Sequence, residues 1–182
     1  MNQPEHSAQN PPPPTLGIAL LIWLGVIVAI IGFVAIGYAL SLVPLYAGFT
    51  LVWYWANVDK LSFTFAPATV VGAVAGTANA WLLQWAAANH NTALIVAALA
   101  ILAVVLLLSI MERAQIFANA SYMLFVTVAC APLLQQGENF VQVIETILLG
   151  AVYFGGLVWI GMKAFGGSKT EQAAEERLGV EA

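Results

Sequence analysis

One carboxylate lies inside a long apolar segment near the end of the chain. The segment runs from Asn139 to Phe165, and Glu145 follows its start by about two helical turns. An ionisable group within a stretch long enough to cross a bilayer indicates a functional site by default. Low-dielectric surroundings disfavour the charged form of a carboxyl group, so such a group can bind and release a proton nearer neutral pH. Glu145 is therefore predicted to couple transport to protons. The alternative is a wetted carboxylate at the membrane interface with no task.

Two apolar segments, at about 65–88 and 139–165, carry polar residues at three- and four-residue spacing. This spacing places each set on one helix face. If the two faces meet, their polar side chains converge on a crevice, and two aromatic side chains form its walls. The candidate proton-coupling or substrate residues are Glu145, Gln142, Thr146, Asn79, Thr69, Trp81 and Tyr153. The alternative for Asn79 is an interhelical hydrogen bond worth about 1 kcal/mol.

Three glycines lie on the same two faces. Gly72 and Gly76 form a GxxxG pair, and Gly150 occupies the later segment. Small residues let helix backbones approach closely in a membrane, where hydrophobic burial no longer drives association. These glycines are therefore predicted to pack helices, whether or not a substrate path runs beside them.

Other kinds of chemistry find no support in the residue types. The histidines are His6, in a polar tail, and His90, in a short polar break, and the single cysteine, Cys130, lies in an apolar segment. No His, Cys or carboxylate group has metal-ligand spacing, and no phosphate-binding loop is present. We therefore predict no catalytic residue, no metal site, no cofactor and no enzymatic activity.

Composition identifies the class of protein. The chain is 62% hydrophobic and 8% charged, whereas soluble domains carry about 25% charged residues. It is therefore predicted to be an all-α integral membrane protein whose first partner is the lipid bilayer. With 5 Lys and Arg residues in 182 and no basic patch, nucleic acid is excluded as a partner.

Hydropathy divides the chain into a membrane domain and two tails. Six transmembrane helices are predicted at about 16–38, 41–57, 65–88, 93–111, 116–134 and 139–165. Residues 1–15 are proline-rich and predicted to be a disordered cytoplasmic tail, and residues 166–182 are predicted to be a short cytoplasmic tail.

The basic residues predict the orientation. Loops that face the cytoplasm are enriched in Lys and Arg. With the amino terminus inside, every basic side chain falls on the cytoplasmic side: Lys60, Arg113, Lys163, Lys169 and Arg177. The chain is therefore predicted to be a multi-pass inner-membrane protein with both termini in the cytoplasm.

A short pattern recurs in the two halves of the chain. Gly72-Ala-Val precedes Trp81 by nine residues, and Gly150-Ala-Val precedes Trp159 by the same interval. Because each half would have three spans, equivalent helices would cross the membrane in opposite directions, as in the 3+3 inverted repeats of many transporters. Chance recurrence of small and aliphatic residues is the alternative, and both interpretations remain open.

The same pattern carries a resemblance to a known family. A threonine shortly before Gly-Ala-Val, repeated within Tyr46 to Leu83 and Arg113 to Ile160, resembles the membrane unit of the fusaric acid resistance (FUSC-like) and aromatic acid exporter group. The resemblance implies a six-span unit that exports small, often aromatic, carboxylic acids at the expense of the proton gradient. Many members of that group place an arginine just ahead of the Thr-Gly element, where this chain has Ala68 and Glu145.

Two functions follow as hypotheses. The first is a small-molecule transporter or permease, with proton-coupled export of small aromatic organic acids as its form and a homo-oligomer as its state, since six short spans enclose little interior. The alternative is an accessory or structural subunit of a membrane complex, without transport activity. Its glycine faces, small size and lack of a soluble domain fit that role equally.

Overall fold

The computed structural model describes residues 15–178, with side chains described through residue 164. This part of the chain is helical throughout and contains no strand. Its helices are α1 (Leu16–Ala39), α2 (Tyr46–Asn57), α3 (Ala66–Ala88), α4 (Thr92–Ile110), α5 (Ala120–Ala129), α6 (Pro132–Gly137) and α7 (Phe140–Leu178). Residues 1–14 of the predicted amino-terminal tail lie outside the described residues.

Four helices are long and apolar enough to cross a membrane. These are α1, α3, α4 and the Phe140–Ala164 part of α7. The all-α part of the prediction is confirmed for the described residues, and the four long apolar helices fit a multi-pass membrane protein. Helix α7 is continuous to Leu178, so it includes most of the residues predicted to form the short carboxy-terminal tail.

The second and fifth predicted spans contain helices shorter than a bilayer. Helix α2 has 12 residues and α5 has 10, or about 18 Å and 15 Å, against a hydrocarbon core of about 30 Å. Helix α2 begins only after Pro44, and Pro132 begins α6 three residues beyond the end of α5 at Ala129. Proline has no N–H with which to continue a preceding helix, so each of these segments consists of a short helix and irregular chain.

Three of the helices end in the same kind of turn. Ser41, His90 and Glu112 follow α1, α3 and α4 with φ of 58°, 50° and 53°. In each turn the next amide bonds back to a helix carbonyl at 2.9 Å, as Leu42 N–H does to the Gly37 oxygen. This Schellman arrangement satisfies carbonyls that the helix end leaves unpaired. It also reverses the chain within a few residues, so consecutive helices remain neighbours.

Helices α3 and α7 organise the bundle. Helix α3 packs along α5 and α4, α7 packs along α2, and α3 and α7 also contact each other. Helix α1 packs mainly on α7 and is exposed over most of its length. Each short helix therefore lies beside the long helix that comes from the other half of the chain.

Glycines allow the closest of these contacts. A side-chain carbon at Gly76 would lie 3.0 Å from the Val126 amide nitrogen and closer still to the Tyr122 carbonyl oxygen, both backbone atoms of α5. A side-chain carbon at Gly150 would lie 2.8 Å from the Cα of Gly48 in α2. Because backbone cannot move aside as a flexible side chain can, only glycine fits at these positions.

Replacing Gly76 by alanine tests this close contact. We expect Gly76→Ala to destabilise the protein by about 2 kcal/mol, because the added methyl group forces α3 and α5 apart. Such a loss corresponds to a fall in melting temperature of roughly 4–8 °C for a chain of this size. Gly155→Ala is the control, since a side-chain carbon there would have no neighbour within 4 Å. Equal melting temperatures for the two variants in detergent would contradict the packing described.

Candidate functional site

A groove of about 700 Å³ lies between α2, the start of α3 and the middle of α7. Its walls are almost entirely apolar, and four of them are large aromatic side chains. The aromatic residues are Trp55, Phe63, Phe154 and Trp159. Gly150, Gly155 and Gly156 of α7 leave the space between these rings open. The groove therefore suits a flat, mainly apolar ligand.

A carboxylate lies behind one wall of the groove. Thr69 lines the groove and is 3% exposed. Its hydroxyl group donates a hydrogen bond to the carboxylate of Asp59, in the connection between α2 and α3. The indole N–H of Trp55 donates to the Ser62 carbonyl oxygen at 2.9 Å, which ties the same connection to the aromatic wall. Asp59 thus contacts the groove through one buried hydroxyl.

A cation lies beside another wall of the groove. The Nζ atom of Lys163 is 4.4 Å from the ring centroid of Trp159, which itself lines the groove. The electron-rich face of an indole attracts an ammonium group, so this cation–π contact holds Lys163 beside the groove. Because Lys163 is exposed, its N–H groups remain able to bind an anion. The groove therefore combines aromatic walls with a cation at its rim and a carboxylate behind one wall.

The structure separates Glu145 from this groove. Glu145 is exposed, whereas Thr146 beside it is fully buried. The first turns of α7 thus direct the threonine into the bundle and the carboxylate out of it. Glu145 does not line the groove.

The two predicted helix faces do not form a single crevice. Gly72 and Gly76 face α5, where Asn119 and Tyr122 lie, while Gly150 faces Gly48 of α2. Each face therefore contacts a different short helix. Of the candidates, Thr69 and Gly150 line the groove.

The remaining candidates have separate environments. The Tyr153 hydroxyl donates to the Ala29 carbonyl oxygen of α1 at 3.0 Å. The Gln142 amide approaches the Ser41 carbonyl oxygen at 3.5 Å. Trp81 is 40% exposed and does not line the groove, although Trp159, its counterpart in the recurring pattern, does. Asn79 is hydrogen-bonded to Tyr122 of α5.

Asp59 and Lys163 are the site residues that sequence reasoning did not select. Lys163 served only to predict the orientation, and Asp59 lies in a short polar break that drew no prediction. The available signal was the spacing of Trp159 and Lys163, since residues four apart share a helix face. Nothing in the sequence indicates that Asp59 bonds to Thr69, because ten residues of irregular chain and helix separate them.

Three buried polar atoms lack a hydrogen-bond partner among the described residues. They are Thr77 Oγ1 and Asn79 Oδ1 of α3 and Thr146 Oγ1 of α7. An unpaired polar group in apolar surroundings is costly. No three His, Cys, Asp or Glu side chains come together as a metal site in the described part of the chain.

Comparison of the chain with protein-family models, with curated proteins and with solved structures found no match. The resemblance to the fusaric acid resistance group therefore stays a prediction.

The bond between Thr69 and Asp59 can be tested through stability. We expect Thr69→Val to cost about 1–2 kcal/mol, because it keeps the side-chain shape but removes a buried donor to a charged acceptor. Thr127→Val is the matched control: its hydroxyl bonds to a carbonyl of its own helix and the residue is exposed. Thermal unfolding in detergent compares the two. A loss in Thr127→Val as large as in Thr69→Val would show that the bond to Asp59 contributes nothing.

Proposed function

We propose that the chain crosses the membrane six times as an inverted repeat, in which α1, α2 and α3 correspond to α4, α5 and α7. The exchange of partners supports this relation: α3 packs on the short helix of the second half, and α7 on that of the first. In this arrangement the irregular chain beside α2 and α5 completes two crossings.

The basic residues support an orientation. Lys60 follows α2, Arg113 follows α4, and Lys163 lies in the second part of α7. In a six-span arrangement these three positions share one membrane face. The enrichment of Lys and Arg on cytoplasmic faces supports an inner-membrane protein with both termini in the cytoplasm, and the groove would then open on the cytoplasmic side.

We propose that the protein is a permease for small aromatic organic acids, and that the groove between α2, α3 and α7 is its substrate site. The observation that carries the proposal is the combination of four aromatic walls with a cation held at the rim. The ring of the substrate would stack against Trp159 and Phe154, and its carboxylate would pair with Lys163. Charge pairing at the rim and apolar contact inside would together select aromatic acids over uncharged aromatic compounds and over small anions without a ring.

Lys163 could supply the positive charge that an arginine supplies in many members of the family this chain resembles. Many members of the aromatic acid exporter group carry an arginine ahead of the Thr-Gly element, where this chain has Ala68 and Glu145. A carboxylate there would repel an anionic substrate. In the groove the positive charge comes instead from α7, four residues beyond Trp159.

Asp59 is the carboxylate that we propose for proton coupling. Its side chain meets a hydroxyl that lines the groove, so a change in its protonation would change the hydrogen bonding at the substrate site. Glu145, the residue that the sequence favours, is exposed and on another part of α7. Substitutions of Asp59 and of Glu145 are therefore expected to affect proton coupling differently.

Transport measurements with Lys163→Gln and Trp159→Leu test the substrate site. We expect either change to raise the half-saturation concentration for benzoate about tenfold, the effect of losing about 1.4 kcal/mol of binding. Arg113→Gln and Trp81→Leu are the matched controls, since neither residue lines the groove or, as Lys163 does, packs its charge on one of the aromatic walls. The assay is benzoate flux in proteoliposomes containing the purified chain, with cyclohexanol as an uncharged reference. Equal effects in variants and controls would contradict the proposed site.

Proton coupling is tested by flux at two pH values. We expect Asp59→Asn to remove the dependence of benzoate flux on an imposed pH gradient, because an amide cannot carry the proton. Glu145→Gln should leave that dependence intact. If Glu145→Gln abolishes it and Asp59→Asn does not, coupling belongs to Glu145 and our assignment is wrong.

The alternative function, an accessory subunit, has one observation in its favour. Only 6% of the most apolar window of α1 is buried, so most of that helix is free to contact lipid, a second copy or another protein. Proteoliposomes separate the hypotheses because they contain this chain alone. Flux in them supports the permease, whereas a stable unrelated protein that copurifies, together with absence of flux, supports the subunit.

A further inference from the structure

An asparagine and a tyrosine form an incompletely paired hydrogen-bonding group inside the bundle. Asn79 of α3 is 8% exposed, and its amide N–H donates to the Tyr122 hydroxyl oxygen of α5 at 2.9 Å. The Asn79 Oδ1 atom has no partner in the described part of the chain. The Tyr122 hydroxyl also keeps its own hydrogen, for which the described residues supply no acceptor.

The depth of this pair makes the unpaired atoms costly. Asn79 lies about 20 Å from the start of α3 and about 14 Å from its end, at a rise of about 1.5 Å per residue. Both ends of α3 are therefore far from the amide, and lipid cannot hydrogen-bond to it. If the amide is rotated by half a turn, Tyr122 donates to Oδ1, and both Asn79 N–H groups and the tyrosine oxygen are left open instead. Either orientation leaves at least one donor and one acceptor free.

A cleft of about 370 Å³ adjoins the pair. It lies between α3, α4 and α5, and both Asn79 and Tyr122 line it. Its other lining residues are apolar: Ala75, Ala78, Leu82, Ile101, Val105 and Phe117. Because no charged side chain lines the cleft, an ionised ligand would find no counter-charge there. This distinguishes it from the groove, where Lys163 supplies one.

We propose that this cleft is a second binding site, for a small uncharged molecule with an apolar body and one hydroxyl group. A hydroxyl group donates and accepts through a single oxygen, so it can give its hydrogen to Asn79 Oδ1 and receive the hydrogen of Tyr122. The apolar body then fills the space between Ala78, Ile101 and Val105. Ile101 is 44% exposed on the outer face of α4, so the ligand reaches the cleft from the bilayer.

Binding of 4-fluorophenol and fluorobenzene, followed by ¹⁹F NMR, tests the proposal. The full chain in detergent micelles is titrated with each compound, and Tyr122→Phe is compared with the wild-type protein. We expect 4-fluorophenol to bind about five- to tenfold more weakly to Tyr122→Phe, the effect of one lost hydrogen bond. Fluorobenzene, which has no hydroxyl group, should bind both proteins equally. Tyr38→Phe is the control, since Tyr38 is exposed and distant from the cleft.

A second variant keeps the result decisive if Tyr122→Phe disturbs the fold. Val105→Trp is expected to fill the cleft and abolish the part of 4-fluorophenol binding that depends on Tyr122, while thermal unfolding confirms that the variant is folded. Three results would overturn the proposal: equal affinity of 4-fluorophenol for the wild-type protein and Tyr122→Phe, unchanged binding to Val105→Trp, or no saturable binding to wild-type protein, in which case water alone completes the pair. Because Lys163→Gln alters only the groove, it should leave phenol binding unchanged, so this site and the proposed transport function are tested separately.

Discussion

The contact between helix backbones at Gly76 and Gly150 is the interaction on which the rest of the structure depends. In a bilayer, apolar side chains gain nothing by leaving lipid for one another, so helices associate through close packing and hydrogen bonds. Gly76 lets α5 lie against α3, and Gly150 lets α2 lie against α7. These two contacts hold two helices that are each too short to cross a bilayer alone. They also bring elements from the two halves of the chain together.

The two contacts differ in what surrounds them, and the difference creates the two sites. Beside Gly76, hydrogen bonds join α5 to α3, including that of the Ser121 hydroxyl to the Thr69 carbonyl oxygen at 2.8 Å. Beside Gly150, aromatic rings replace such bonds, and Phe154 packs on Phe33 with centroids 4.9 Å apart. The larger groove lies on the α7 side, and the smaller cleft, which Asn79 and Tyr122 line, lies on the α3 side.

Hydropathy predicted the class of protein and the long helices, because uninterrupted apolar residues leave a helix as the only structure that satisfies the backbone in lipid. It did not predict that the second and fifth segments hold short helices, since the average over a window is insensitive to the breaks at Pro44 and Pro132. Spacing predicted that Gly72, Gly76 and Gly150 pack helices. It could not predict their partners, because a helical face has no information about which neighbour covers it. For the same reason Glu145 was placed in a crevice, although its neighbour Thr146 is the residue that faces inward.

The direct test of the central claim is a crystal structure of the purified protein with 4-bromobenzoate, recorded at the bromine absorption edge. Anomalous scattering locates the ligand without assuming its pose. The account predicts a bromine peak between Phe154 and Trp159, with the carboxylate of the ligand next to Lys163. At a saturating concentration of the ligand, an empty groove with the bromine elsewhere would contradict the assignment of the groove as the substrate site.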